Sequence, residues 1–354
     1  MRTDFPGQII WGLGVFFLIF FWTNIFWDYG GDFINKANPP KLATVFEPVV
    51  IEKGENFLVE PIIPKINENI KLAFVGDMML DRGVKNSVYK NFSSNYGELF
   101  SKVKEELQSY DFLFANLEGP ISNKGEDIGG LYSFRIEPLV IPILKNVGFD
   151  IFSLANNHTY NWGNLALTDT MKSLSDFEIE YIGAGFDGQE AYEGKVLNIK
   201  GINISFLAFS EFGAGGVMSS STNPGLAVIS EEDIIKSVSQ AKNNSDLVVV
   251  SYHFGEEYAS VPNNYQRKYA ELAIDYGADL IIGHHAHVIQ TLEQYKNVYI
   301  IYSLGNFIFD QYFSEETMQG GLLEVEINSK SKKIERVNLR KVFLNKYFQV
   351  ESII

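Results

Sequence analysis

Leu280-Ile-Ile-Gly-His-His-Ala-His287 carries an apolar strand signal straight into three imidazoles within four residues. Imidazoles this close cost desolvation and mutual repulsion unless something binds them, and imidazole is the commonest protein metal ligand. The stretch therefore reads as a buried strand that delivers metal ligands at its carboxyl end. Two other segments repeat the pattern. Asp150-Ile-Phe-Ser-Leu154 runs on to Ala155-Asn-Asn-His158, and Leu247-Val-Val-Val-Ser251 runs on to His253, so all five histidines of the chain sit at three strand ends. Two more apolar segments end in carboxylates: Ile70 to Val75 leads into Gly76-Asp77, and Asp111 to Leu117 carries Asn116 and leads into Glu118. In open α/β sheets, ligands bind beyond the carboxyl ends of the strands, where the loops converge. Singly, each residue has a plainer reading: Asp77 as a cap, Glu118 as a solvated turn residue, Asn156 and Asn157 as turn amides, His253 as a core histidine. Together, the five endings predict one polar centre of Asp, Glu, Asn and His.

Outward from these ends, strand and helix signals alternate. After the strand at 70–75 comes helical spacing over Gly97 to Tyr110, through Leu99, Phe100, Val103 and Leu107, and then the strand at 111–117. Beyond 150–154 the reading gives a helix at 164–177, strands at 179–182, 195–199 and 202–209, and a helix at 231–243. It continues with the strand at 247–251, a helix at 264–276 and the strand at 279–282. The last part, 298–343, reads mainly as strands. Alternation predicts an α/β fold, and the strand-rich end suggests a second sheet packed on the first.

The chain has 354 residues, 46% of them apolar, and a formal net charge of −15. That supplies a core and argues against nucleic acid as a partner, which needs basic surface to neutralise phosphates. There is no cysteine, so thiolate catalysis, disulfides and thiolate metal sites are excluded. Ile9 to Trp27 is an almost uninterrupted apolar run holding three of the four tryptophans, and roughly 20 apolar residues cross a bilayer. A cleaved signal peptide would have a shorter apolar run followed by small residues, whereas Phe26-Trp-Asp-Tyr29 follows here. The expectation is an uncleaved signal anchor within residues 1–28. Arg2 precedes the span and Asp28 and Asp32 follow it, which places the N-terminus in the cytoplasm and the body outside. Residues 29–69, with five prolines, read as an extracytoplasmic linker. The folded domain is expected over 70–345, with a tail at 346–354. Gly213-Ala-Gly-Gly216 lacks the lysine and hydroxyl of a phosphate loop and reads as a flexible loop.

Six ordered segments resemble the poly-gamma-glutamate capsule biosynthesis family, CapA. They are Gly76-Asp-Met-Met-Leu80, Asn116-Leu-Glu118, Ala155-Asn-Asn-His158, His253-Phe-Gly-Glu-Glu-Tyr258, Gly283-His-His-Ala-His-Val288 and Ser303-Leu-Gly-Asn-Phe307. The resemblance implies the fold of the calcineurin-like metallophosphoesterases, a four-layer α-β-β-α sandwich with a two-metal centre at the strand ends. It implies Asp77, Glu118, Asn157, His253, His285 and His287 as metal ligands and His158 as general acid. Arg82, Asn116, Asn156, Glu257, His284 and Asn306 fall at supporting or substrate-contacting positions. Arg82 is a candidate for bidentate pairing with a carboxylate or phosphate; its plainer reading is a salt bridge around Asp81. Oxygen and nitrogen ligands without sulfur suit manganese, iron or zinc alike.

There is a departure from the phosphoesterase pattern. Where that superfamily has Asp, any residue, His, this chain has Asp77-Met78-Met79, and its second motif becomes Asn116-Leu117-Glu118. An imidazole ligand is missing and a carboxylate is longer by one methylene. Three functions therefore stay open. The chain is a membrane-anchored CapA-like protein acting on an anionic cell-surface polymer such as poly-gamma-glutamate, a noncatalytic subunit of a membrane polymer synthase, or a secreted metal-dependent phosphodiesterase.

Overall fold

The computed structural model describes residues 69–128, 130–213 and 222–354. The expected anchor and linker lie outside the described residues, as does most of the Gly213–Gly216 loop. Among the described residues no helix is long and apolar enough to cross a membrane.

Two mixed sheets carry the fold. The first has the order Val350–Ile353, Lys333–Leu344, Gln319–Asn328, Asn69–Met78, Phe112–Leu117, Ile151–Ser153, Glu180–Ile182, and Asn306–Ile308 pairs with the end of Asn69–Met78. The second runs Leu292–Tyr295, Val298–Ile301, Leu280–His284, Leu247–His253, Ile202–Ser210, Lys195–Ile199. The central strands of both are parallel and buried along their length, which is why they read as unbroken apolar runs.

Phe74, Phe112, Phe114, Ile204, Phe206, Val249, Leu280 and Leu323 fill the space between the sheets. Phe112 of one sheet stacks on Phe206 of the other, with ring centroids 4.6 Å apart. The outer face of the first sheet buries Val84, Leu144, Leu167 and Leu174 from the helices Arg82–Asn91, Ile141–Val147 and Gly163–Asp176. The outer face of the second buries Ile234, Val238, Ala270 and Ala273 from Glu231–Asn244 and Asn264–Asp275. The layers are therefore helix, sheet, sheet, helix. Local chemistry sets the helix starts: the Ser230 side chain accepts from Asp233 N, and Asn263 and Gln266 form a reciprocal capping box.

Two expectations need correction. The strand-rich end does not build the second sheet. Gln319–Asn328 and Lys333–Leu344 extend the first sheet antiparallel to Asn69–Met78, and only Val298–Ile301 joins the second. Val350–Ile353 then pairs with the 333–344 strand, so the sheet takes in residues set apart by sequence as a tail. Periodicity reports which faces are buried, not which strand is the neighbour. The single helix over Gly97–Tyr110 is two pieces, Tyr96–Leu99 as a 3-10 turn and Lys104–Leu107. Leu99, Phe100, Val103 and Leu107 are all buried as the spacing demands. Asn95 Oδ1 accepts from Gly97 N and starts the tight turn. Val103, at φ −124°, leaves the helical region, and Phe100 packs on Phe149 and Phe307.

Candidate metal centre

Strand register aligns the polar endings. In the first sheet Asp77 pairs with Asn306 on one side and Asn116 on the other, and Asn116 pairs with Ser153. In the second, His253 pairs with both Ser210 and His284. Paired residues share a face of their sheet. Close strand approach is part of the arrangement: a Cβ on Gly76 would stand 1.9 Å from Gly305 O, and one on Gly283 2.0 Å from Tyr302 O. Glycine precedes Asp77 and His284 because their strands meet backbone there.

Asp77 is fully buried at the junction. Its Oδ1 accepts from Asn116 Nδ2 at 2.9 Å and its Oδ2 from His285 N at 3.1 Å. His284 Nδ1 lies 3.2 Å from Oδ1 and His287 Nδ1 3.4 Å from Oδ2. Burial pushes the Asp77 carboxyl up, but bonding and charge from His284 and His287 outweigh it and hold the group well below the usual carboxylate range. Glu118 goes the other way: burial and then the Asp77 charge raise it well above its ordinary value. His253 is lowered well below the imidazole range by burial and by His285. His285 is pushed down to about 3 by burial and His287, and His158 to about 4 chiefly by burial.

Five of the predicted ligands, joined by Glu257 from the supporting set, fall in two groups. Asp77, Glu118 and His253 offer ligand atoms within 4.8 Å of one another, and so do Glu257, His285 and His287. The groups adjoin, since the His253 and His285 rings are 4.7 Å apart. Asn157 Oδ1 stands 2.9 Å from His253 Nε2. Glu118 Oε2, His285 Nδ1 and His284 Nε2 are buried without a hydrogen-bond partner. Stranding such atoms costs about 1–3 kcal/mol each. The oxygen and imidazole donors fit a divalent cation, which would satisfy Glu118 and His285 directly. His285 and His287 have φ of 91° and 56°, the left-handed region where non-glycine residues store strain.

Supporting positions are filled as well. Asn306 Nδ2 donates to Thr317 O at 2.9 Å, leaving its Oδ1 3.0 Å from His287 Nδ1 to orient that ring. Asn156 Nδ2 donates to Leu117 O and to Asn116 Oδ1. Arg82 does not pair with Asp81. Its guanidinium forms a forked pair with Asp310, while Asp81 Oδ2 accepts from Arg135 N at 2.8 Å. Arg135 lies over Trp162 at 3.7 Å.

Sequence reasoning missed Phe134, Asn161 and Asp310. Phe134 packs on the His158 ring at 4.0 Å, and Asn161 Oδ1 lies 3.0 Å from His158 Nδ1. Asn161 follows the His158 motif by three residues, a spacing that could have raised it. Phe134 and Asp310 give no local signal. The Tyr258 ring lies 6.0 Å from the His287 ring and meets Phe313 edge-on at 5.1 Å, and Arg82 lies over Phe134 at 4.9 Å and Tyr132 at 5.5 Å.

Residues 71–311 match the family described as bacterial capsule synthesis protein PGA_cap. The chain is 32% identical over 261 residues to the capsule biosynthesis protein CapA of Bacillus anthracis, covering 72% of this chain and 63% of that protein. It is 30% identical over 245 residues to the PGA biosynthesis protein CapA of Bacillus subtilis strain 168, covering 68% and 64%. The chain thus spans just under two thirds of the length of these curated relatives. Among solved structures it is similar to a phosphatase from Mycoplasma pneumoniae, at TM-score 0.46 and 15% identity over 78% of this chain and 94% of that one. The family match runs through all six motif segments from Gly76 to Phe307, and the chain belongs to the bacterial capsule synthesis protein PGA_cap family.

Proposed function

We propose that this protein is a membrane-anchored, extracytoplasmic member of the family that works with a polymer synthase in making, exporting or processing an anionic surface polymer, through a divalent-metal centre of phosphoesterase type. The observation that carries the reading is the meeting of Asp77, Glu118, Asn157, His253, His285 and His287 where the two sheets join, with buried donor atoms unpaired. A metal held by these residues and Glu257 would supply Lewis-acid polarisation of a phosphoryl or carboxyl oxygen. The chain's own groups do the rest. His158 stands beside the centre for proton movement, and Asp77 and Asn306 orient the histidines.

A noncatalytic role in the same synthase has one observation in its favour. Met79, where the phosphoesterase pattern places an imidazole, is fully buried, with its sulfur 3.1 Å from Asp81 N. Turnover separates the two. The full chain, supplied with manganese, iron or zinc, is assayed on phosphoesters and on gamma-glutamyl polymer beside His158→Ala. Cleavage lost in the variant supports the enzyme; no turnover by a metal-loaded protein supports the structural subunit.

A further inference from the structure

The amides around His158 can be oriented from the main chain alone, and they fix where its proton sits. Asn161 Oδ1 accepts from Phe134 N–H at 3.0 Å, so the oxygen faces that side. The same oxygen lies 3.0 Å from His158 Nδ1, which must therefore carry a proton. Nε2 of the neutral ring is then a bare lone pair, and Asn157 Nδ2 donates to it at 3.2 Å. In the metal-free protein that turns Asn157 Oδ1 toward His253 Nε2 at 2.9 Å, making it the protonated nitrogen of His253, a bond that metal binding through either residue would break. His253 Nδ1 is left to accept from Asn116 Nδ2 at 3.2 Å.

The other end is anchored independently. Asn156 Oδ1 accepts from the main-chain N–H of His158 at 3.1 Å and of Thr159 at 3.0 Å, and its Nδ2 donates to Leu117 O at 2.8 Å. Asn116 must then show its oxygen to Asn156, at 3.2 Å, and its NH2 to His253. Main-chain anchors at opposite ends give the same polarity at every link. Amide and imidazole assignments rest on such networks.

We propose that Asn161 is a positioning residue that keeps the His158 proton on Nδ1, leaves Nε2 as the acceptor of the Asn157 amide, and ties that state to the seat of Phe134. This rests on the reading of His158 as a group serving the centre. The Asn161 carbonyl also accepts from Ile128 N–H at 3.1 Å, which holds the same segment from its other side. Asn161 thus fixes both the tautomer of His158 and the main chain of Phe134, whose ring lies 4.0 Å from the imidazole. In this state the Nε2 lone pair is taken up by Asn157 Nδ2, so a ligand O–H or N–H reaches it only by displacing that amide.

The test is the tautomer itself. The full metal-free chain, held in chelator and 15N-labelled in its five histidines, is examined by long-range proton–nitrogen correlation at neutral pH, beside Asn161→Leu and Asn161→Asp. The expected result is Nδ1–H in the native protein, a shift to Nε2–H or a mixture in the leucine variant, and Nδ1–H restored with aspartate. Native Nε2–H, or a folded leucine variant that keeps Nδ1–H, overturns the proposal. Should the leucine variant not fold, the other two spectra decide: Nδ1–H in both upholds it and Nε2–H in either overturns it. No metal enters this measurement, so a protein that fails to bind metal sinks the proposed function and leaves this result standing.

Discussion

Gly283→Ala tests whether close strand approach is what brings the histidine segment to the centre. The added Cβ would stand 2.0 Å from Tyr302 O and 2.4 Å from Tyr302 C, where real contacts do not fall below 3.0 Å. The obstacle is main chain, so no side chain can swing away, and relief requires the strands to part by about 1 Å from their usual spacing of about 4.8 Å. Parting them stretches the bond from Leu304 N to Gly283 O, now 3.0 Å. Overpacking costs about 1–3 kcal/mol and a weakened hydrogen bond about 1 kcal/mol more, so the expected loss is roughly 3 kcal/mol. For a domain of this size each kcal/mol moves Tm by about 2–4 °C, which predicts a fall of about 6–12 °C. Thermal unfolding of the metal-free variant followed by circular dichroism reads this directly. His284 and His285 follow Gly283, so metal uptake should fall as well. A Tm within about 2 °C of the parent, with uptake unchanged, would refute the reasoning.

Acid should weaken the metal-free protein in a defined window. His158 and His285 are held at about 4 and about 3 in the fold, chiefly by burial, and titrate near 6.5 when unfolded. Below that value the unfolded chain binds more protons than the folded one, so stability falls as pH drops from about 6.5 toward 4, by roughly 3 kcal/mol for His158 alone. Urea midpoints across that range in chelator check this, and a flat profile contradicts it. Glu118→Gln acts in the opposite sense. Because Glu118 is raised by burial and by Asp77, the folded state resists losing its proton, and stability falls as pH rises above the ordinary carboxylate range. The glutamine variant should melt higher than the parent at pH 8 in chelator but gain less from added metal; a lower metal-free Tm would count against this account.

Much of the centre was legible because its residues lie at strand ends, where a change from apolar to polar marks both the end of burial and the mouth of the sheet. The strand ends marked Asp77, Glu118, His253 and the 284–287 stretch as parts of one polar centre, while the family resemblance singled out His285 and His287 within that stretch; register aligns Asp77 and His253 with their neighbours. Sheet membership was less legible. The 319–328 strand has the burial alternation of a sheet member, but nothing in that pattern says it pairs with 69–78 rather than with a new sheet. Phe134 and Asp310 escaped because each acts through a partner distant in sequence, Phe134 on His158 and Asp310 on Arg82. Arg82 shows the same limit: its charge was plain, while the carboxylate that takes it is 228 residues away.

The central claim is a divalent-metal centre where the two sheets meet, and metal stoichiometry tests it most directly. The full chain is offered manganese, iron and zinc, freed of excess, and its metal measured by elemental analysis beside His287→Ala, with folding of both checked by circular dichroism. The account predicts about two ions per chain in the parent, as two-metal sites hold, and a marked loss in the folded variant. A folded parent that retains none of the three metals would contradict it.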